Sequence, residues 1–287
     1  YKLPRKLKVA LSSSDRDAAG ATINDLGFIA AQENGEPFFR MYLAGGLGNN
    51  PGISIPYDKK VAPKEILYYI EAMINLFIAE GDYNNRAKAR TRYIPRRMGI
   101  AEFLAAYEKH LIKVKEEKNL DLDIKAVLSE TQEEYSHNLE ENLSLVHQRQ
   151  DGLYTVIIHP LNGQISSKDF EKVAVFIKEN KNAEARLSMT ESMYVRNLNE
   201  EQAKVLLEIT DKFRQKTKIQ QSMSCVGIPT CQIGIEQSQT LVKNILEYIQ
   251  KNNISEENLP SVYVSGCQNS CGRHQVGDMG FVGGKKR

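Results

Sequence analysis

All four cysteines of this 287-residue chain fall in two tight pairs, Cys225-Val226-Gly227-Ile228-Pro229-Thr230-Cys231 and Cys267-Gln268-Asn269-Ser270-Cys271. Loops this rich in glycine, proline, serine and asparagine can bring four thiolates to one point, as a metal or iron-sulfur centre requires. A structural zinc site more usually draws on C-x2-C knuckles, whereas C-x5-C and C-x3-C spacings suit a cubane cluster whose corners lie farther apart. Spacing alone favours iron-sulfur and leaves zinc open. Two disulfides would suit a small secreted domain of under about 80 residues, which this chain is not. Near the other end, Lys6 and Lys8 alternate with Leu7, Val9 and Leu11. That is the period of a strand with one buried face, so both lysines point the same way. By itself such a pair reads as the solvated face of an edge strand.

The elements that must carry these residues are readable from periodicity. Apolar runs at 26–30 and 38–44 flank Glu33-Asn34-Gly35, a hairpin signal, and the second run ends in Gly45-Gly46-Leu47-Gly48, where the backbone must bend sharply or lie close to a ligand. From Pro63, Ile66, Ile70, Met73, Ile74 and Phe77 form a helical stripe ended by Gly81. A basic helix is expected over 84–92, with Arg86, Lys88 and Arg90 on a solvated face or, as the lesser reading, facing an acidic partner, then a helix over 100–118 with Phe103, Leu104, Tyr107 and Leu111 inward. The polar stretch 119–150 reads as a connecting segment. Beyond it come a strand at 153–158, a helix from Ser166, strands at 185–189 and 192–195, and a helix carrying Ala203, Leu206 and Leu207. This β-α-β-β-α order is a ferredoxin-like half unit. The first cysteine pair, a helix with Leu241, Ile245, Tyr248 and Ile249 on its stripe, a strand at 261–264 and the second cysteine pair complete the chain. The expected fold class is α+β.

Composition is that of a globular protein with a substantial core. The net charge of +2 conceals uneven placement: the first eight residues and 86–97 are basic, while 116–141 is acid-rich. No nucleic-acid motif accompanies the basic stretch. No run of eighteen apolar residues and no secretory signal is present, so a cytoplasmic protein without a membrane anchor is expected, and an opening on Tyr1 suggests part of a longer chain.

At Ser265-Gly266-Cys267-Gln268-Asn269-Ser270-Cys271-Gly272-Arg273-His274 the sequence resembles the sirohaem-containing sulfite and nitrite reductases. In that family the same cysteine pairs bind a 4Fe-4S cluster, which implies Cys225, Cys231, Cys267 and Cys271 as cluster ligands. The resemblance further implies that Cys271 bridges the cluster to the sirohaem iron. Leu3-Pro4-Arg5-Lys6-Leu7-Lys8 looks like the family's signature at the start of its first core domain, where two lysines contact the anion on the haem; Lys6 and Lys8 match them. Asn24-Asp25, Gly45-Gly46-Leu47-Gly48 and Gly81-Asp82 also look like that domain. Arg5, Asn269 and Arg273, beside motif residues, are candidates for holding sirohaem carboxylates, since arginine pairs bidentately with carboxylate. His274 reads as a hydrogen-bonded loop residue, with a role as ligand or proton donor as its sharper alternative.

What the resemblance implies is a six-electron reduction of sulfite to sulfide. Nitrite reduction to ammonia is the alternative, and a lysine at the position of Lys8 goes more with sulfite. The implied architecture is a pseudo-repeat of mixed-sheet core domains with flanking helices around a ferredoxin-like half. A cluster-less first core spans 1–118, the connection 119–150, the half domain 151–217, and a second, truncated core 218–287. The electron donor would be a ferredoxin or a flavoprotein reductase. The family's first ferredoxin-like half and two of its anion-contacting arginines precede the matched region, so the stretch alone is expected to turn over poorly. A non-catalytic iron-sulfur or zinc module is the reading from a different class.

Overall fold

The computed structural model describes residues 1–13, 15–124, 137–150 and 152–284. The chain divides into two compact units, Tyr1–Val127 and Leu128–Arg287.

In the first unit, β1 (Val9–Ser12) runs parallel to β2 (Leu26–Glu33), which pairs antiparallel with β3 (Glu36–Leu43), and β4 (Ile55–Pro56) completes the order β1-β2-β3-β4. The β2–β3 hairpin is the expected one: Asn34 and Gly35 both take positive φ, 51° and 85°, the two-residue turn whose twist matches paired strands. Helices α1 (Ile66–Glu80) and α3 (Ile100–Glu117) cover the sheet. Met73, Phe77, Phe103 and Tyr107 on their inner faces join Phe28 and Met41 in one core. Tyr107 is fully buried and donates its hydroxyl to the Tyr69 carbonyl at 2.9 Å, so no polar group is stranded there.

Two expectations fail in this unit for physical reasons. The alternation that starts at Lys6 slips by one residue at Val9: Val9 and Leu11 are exposed, while Ala10 and Ser12 face inward. The inward side faces β2 and the tight turn Ala21–Ile23, where the small Ala10 packs with Ala21 and Ile29. The basic helix over 84–92 is instead a single 3₁₀ turn, Arg86–Lys88, capped by the Asn85 side chain, followed by a short helix α2 (Tyr93–Met98). Arg90 is not on a solvated face. It is buried and paired with Asp25.

The second unit holds two sheets. In the first, β6 (Tyr154–Ile158), α4 (Ser167–Glu179), β7 (Glu184–Leu187), β8 (Met193–Leu198) and α5 (Glu200–Thr210) follow the predicted ferredoxin-like order. The sheet is antiparallel, β5-β6-β8-β7, and its edge strand β5 (Leu145–His147) comes from within the stretch read as a connecting segment. Within that segment, 125–136 lies outside the described residues. The helices cap themselves: Ser166 accepts the Asp169 N–H, and Asn199 with Gln202 forms a capping box. The second sheet is parallel, β11-β10-β9, built from β9 (Met223–Ser224), β10 (Val262–Ser265) and β11 (Met279–Val282), with α6 (Ser238–Lys251) between β9 and β10. The buried stripe of α6 is Val242 and Ile249 with Ile245 beside them; Leu241 and Tyr248, expected inward, are exposed.

Candidate metal centre

The parallel pairing of β9 and β10 explains how distant cysteines converge. Adjacent parallel strands end on the same side of a sheet, where ligands of open parallel sheets collect. Cys225 directly follows β9 and Cys267 follows β10 by two residues, so both cysteine loops leave from one sheet edge. All four cysteines line a single cavity of about 540 Å³. Its other wall comes from the ferredoxin-like half, through Ile158, Asn162, Phe170, Glu191 and Met193. None of the cysteines is in a disulfide. Among the described residues no three His, Cys, Asp or Glu side chains gather tightly enough to hold a single ion. Four thiols spread around one cavity form a donor set that fits a multi-iron cluster with a ligand at each corner.

The Cys225 thiol is held most closely. Its Sγ accepts the Gly266 N–H at 3.0 Å and lies 3.2 Å from the hydroxyl of Ser238, the first residue of α6. The Ser238 hydroxyl donates to the Cys225 carbonyl at 2.6 Å, so backbone and thiol of Cys225 are both held at the start of α6. Two glycines permit the crossing of the loops. Gly227 has φ 57°, and Gly272, directly after Cys271, approaches the backbone so closely that a Cβ there would sit 2.0 Å from the Val264 carbonyl oxygen and 3.0 Å from the Cys225 nitrogen. Gly272→Ala is therefore expected to cost about 3 kcal/mol or more, because rigid backbone cannot give way. A denaturant titration of the variant checks this.

Of the remaining residues singled out from sequence, Asn269 lines the cavity and is exposed, while Arg273 lies in the same loop, half-buried, with φ 54°. His274 has its Nδ1 buried with no partner among the described residues, and burial holds its pKa below the usual histidine value. In the first unit Lys6 and Lys8 are both exposed, with Leu7 between them packed on the core. Arg5 donates from Nη1 to the Arg86 carbonyl at 2.9 Å, which occupies one of its nitrogens. The backbone of Lys8 is fixed by Asp25, whose carboxylate accepts the Lys8 N–H at 2.9 Å and bonds the Arg90 guanidinium and the Thr91 hydroxyl.

Sequence reading missed Glu191, which looks like a solvated turn residue. It sits in the left-handed region at φ 61° and accepts the Ser224 N–H with both oxygens, at 3.2 and 3.3 Å. Burial pushes its carboxyl up from 4.5 to about 7, against the smaller opposing pull of that N–H. A folded-state pKa raised in this way leaves stability untouched below about 4.5 and subtracts from it as pH climbs to about 7, where the unfolded chain has already released the proton. Glu191→Gln is expected to stabilise the protein by about 2–3 kcal/mol at pH 8 and to be neutral at pH 4. Melting curves at the two pH values check the sign.

Comparison with known proteins places these features in a lineage. Residues 1–115 match the family model described as nitrite and sulphite reductase 4Fe-4S domain, and residues 147–213 match the nitrite/sulfite reductase ferredoxin-like half domain. The cysteines lie outside both matches. The chain is 26% identical to the sulfite reductase [NADPH] hemoprotein beta-component of Bacillus subtilis, over 98% of this chain and 50% of that protein. It is 24% identical to the chloroplastic ferredoxin–nitrite reductase of Arabidopsis thaliana, over 98% of this chain and 47% of that one. It thus spans about half the length of the curated relatives it matches. The solved structure of the Mycobacterium tuberculosis NirA protein superposes with a TM-score of 0.77 at 24% identity, covering 97% of this chain and 50% of that one, and so shares the fold. With the two family models together taking in more than half of its residues, the chain belongs to the nitrite and sulphite reductase family.

Proposed function

We propose that this chain is part of an oxidoreductase that uses a 4Fe-4S cluster and sirohaem to reduce sulfite to sulfide with six electrons. The observation that carries the reading is the convergence of Cys225, Cys231, Cys267 and Cys271 on one cavity from the ends of neighbouring parallel strands. These thiolates would hold the cluster, with Cys271 as the residue that also serves the sirohaem. When bound, the cofactor pair supplies the electrons. Arg5, Asn269 and Arg273 are the residues whose donors would suit sirohaem carboxylates, through charge-assisted hydrogen bonds. Lys6 and Lys8, the latter fixed through its backbone N–H by the Asp25 carboxylate, would supply positive charge to bind the anion and ammonium protons for its departing oxygens. Residues 1–118 act as a cluster-less core domain, and 218–287 as the start of the core that carries the cysteines.

Four thiols outside any disulfide suit a reducing compartment such as the cytoplasm. Among the described residues no helix is long and apolar enough to cross a membrane. The electron donor is a ferredoxin or a flavoprotein reductase; one relative's name specifies ferredoxin and another's NADPH. Nitrite reduction is the second reading, supported by the relatives named for nitrite. Steady-state rates on the two anions separate them: in the intact enzyme, sulfite turnover is expected to exceed nitrite turnover in kcat/KM by about tenfold, a transition-state difference of about 1.4 kcal/mol. A preference for nitrite overturns the substrate assignment.

A further inference from the structure

Among the described residues strand β9 is at the edge of its sheet, paired with β10 alone. Cys225 turns its N–H inward to the Val264 carbonyl at 3.0 Å, so the N–H of Ser224, one residue earlier, points away from the sheet. Ser224 is buried, and a buried backbone N–H needs an acceptor. The ferredoxin-like half supplies it through Glu191 and adds a second tie: Asn162 Oδ1 accepts the Ser224 hydroxyl at 3.0 Å. Both residues sit at positive φ, 61° for Glu191 and 56° for Asn162. They are neighbours across Gly163, where a Cβ would come within 3.1 Å of the Glu191 Cβ. A left-handed turn position normally goes to glycine or asparagine. A glutamate held there needs a reason outside the turn, and its reach to Ser224 provides one.

We propose that Glu191, with Asn162, is a positioning residue through which the ferredoxin-like half fixes Ser224 and thereby places the Cys225 thiol. The role rests on the cysteine cavity being the cluster site. Its physical basis is a one-residue lever: with Ser224 tied on the open edge and Cys225 tied to Val264, the Cys225 Sγ meets the Gly266 N–H and the Ser238 hydroxyl in one geometry.

The test compares the parent chain with Glu191→Gly, which removes the side chain while easing the backbone at this φ, and with Glu191→Gln, which retains an acceptor oxygen. Two quantities are read: amide hydrogen exchange at Ser224 in metal-free protein, and iron bound per chain after anaerobic reconstitution with ferrous iron and sulfide. In E191G, exchange at Ser224 is expected to speed up about tenfold, as loss of one buried hydrogen bond implies, and bound iron to fall by more than half. E191Q restores both, and Asn162→Ala shifts both in the direction of E191G by less. Parent-like exchange and iron in E191G overturn the proposal, and so does an E191Q that behaves like E191G. If the parent chain binds no iron, the cluster reading fails, while Ser224 exchange still decides whether Glu191 fastens this strand.

Discussion

Replacing Asp25 with alanine is expected to lower the stability of the N-terminal unit by about 3–5 kcal/mol, read as a shift of the urea midpoint at unchanged slope. Asp25 is fully buried, and the Arg90 side chain against it is 9% exposed. Removing the carboxylate leaves the guanidinium in the protein interior without its counter-charge, which costs far more than the pair contributes as a unit. It also leaves the Thr91 hydroxyl and the Lys8 N–H without their acceptor. Glu33→Ala is the control. Its pair with Lys60 has both side chains more than half exposed, and its loss is expected to change stability by less than about 1 kcal/mol. If Lys8 contacts the anion as proposed, D25A should also weaken anion binding beyond its effect on stability, because Asp25 holds the Lys8 backbone. A KM that rises while the remaining folded fraction keeps its kcat would report this.

Replacing Cys271 with alanine is expected to reduce bound iron from about four per chain to below about one, because a cubane cluster lacking one corner ligand is not retained. Cys271 is the most exposed of the four cysteines, so the substitution disturbs little packing and the far-ultraviolet circular dichroism should stay as in the parent. The same change should abolish the haem band in the visible spectrum if Cys271 joins cluster to sirohaem. A C271A chain that keeps parent levels of iron and acid-labile sulfide would remove this residue from the ligand set.

The residues that announce chemistry were legible because their types are rare and their spacing is specific. Four cysteines in two loops pointed to one centre before any fold was known, and β9 and β10 deliver them to the same sheet edge. The hairpin at Asn34-Gly35, the stripes of α1 and α3 and the ferredoxin-like order followed from period and turn chemistry. What escaped were cases where tertiary context outweighs local pattern. Arg90 reads as solvated in a basic run, and only the three-dimensional approach of Asp25, 65 residues earlier, makes its burial tolerable. β5 spans three residues in polar sequence, too few to show alternation, and is a strand because β6 offers it an edge. In β1 the larger apolar residues Val9 and Leu11 point outward, while the small Ala10 packs inward with Ala21 and Ile29. Glu191 carries no motif; its role is visible only once its carboxylate is seen on Ser224.

The most direct test of the central claim is the iron, zinc and acid-labile sulfide content of the protein, purified without oxygen, together with its visible spectrum. The account predicts about four irons and four sulfides per chain with coupled haem and cluster bands. One zinc per chain with no labile sulfide would contradict it and make the four cysteines a structural site.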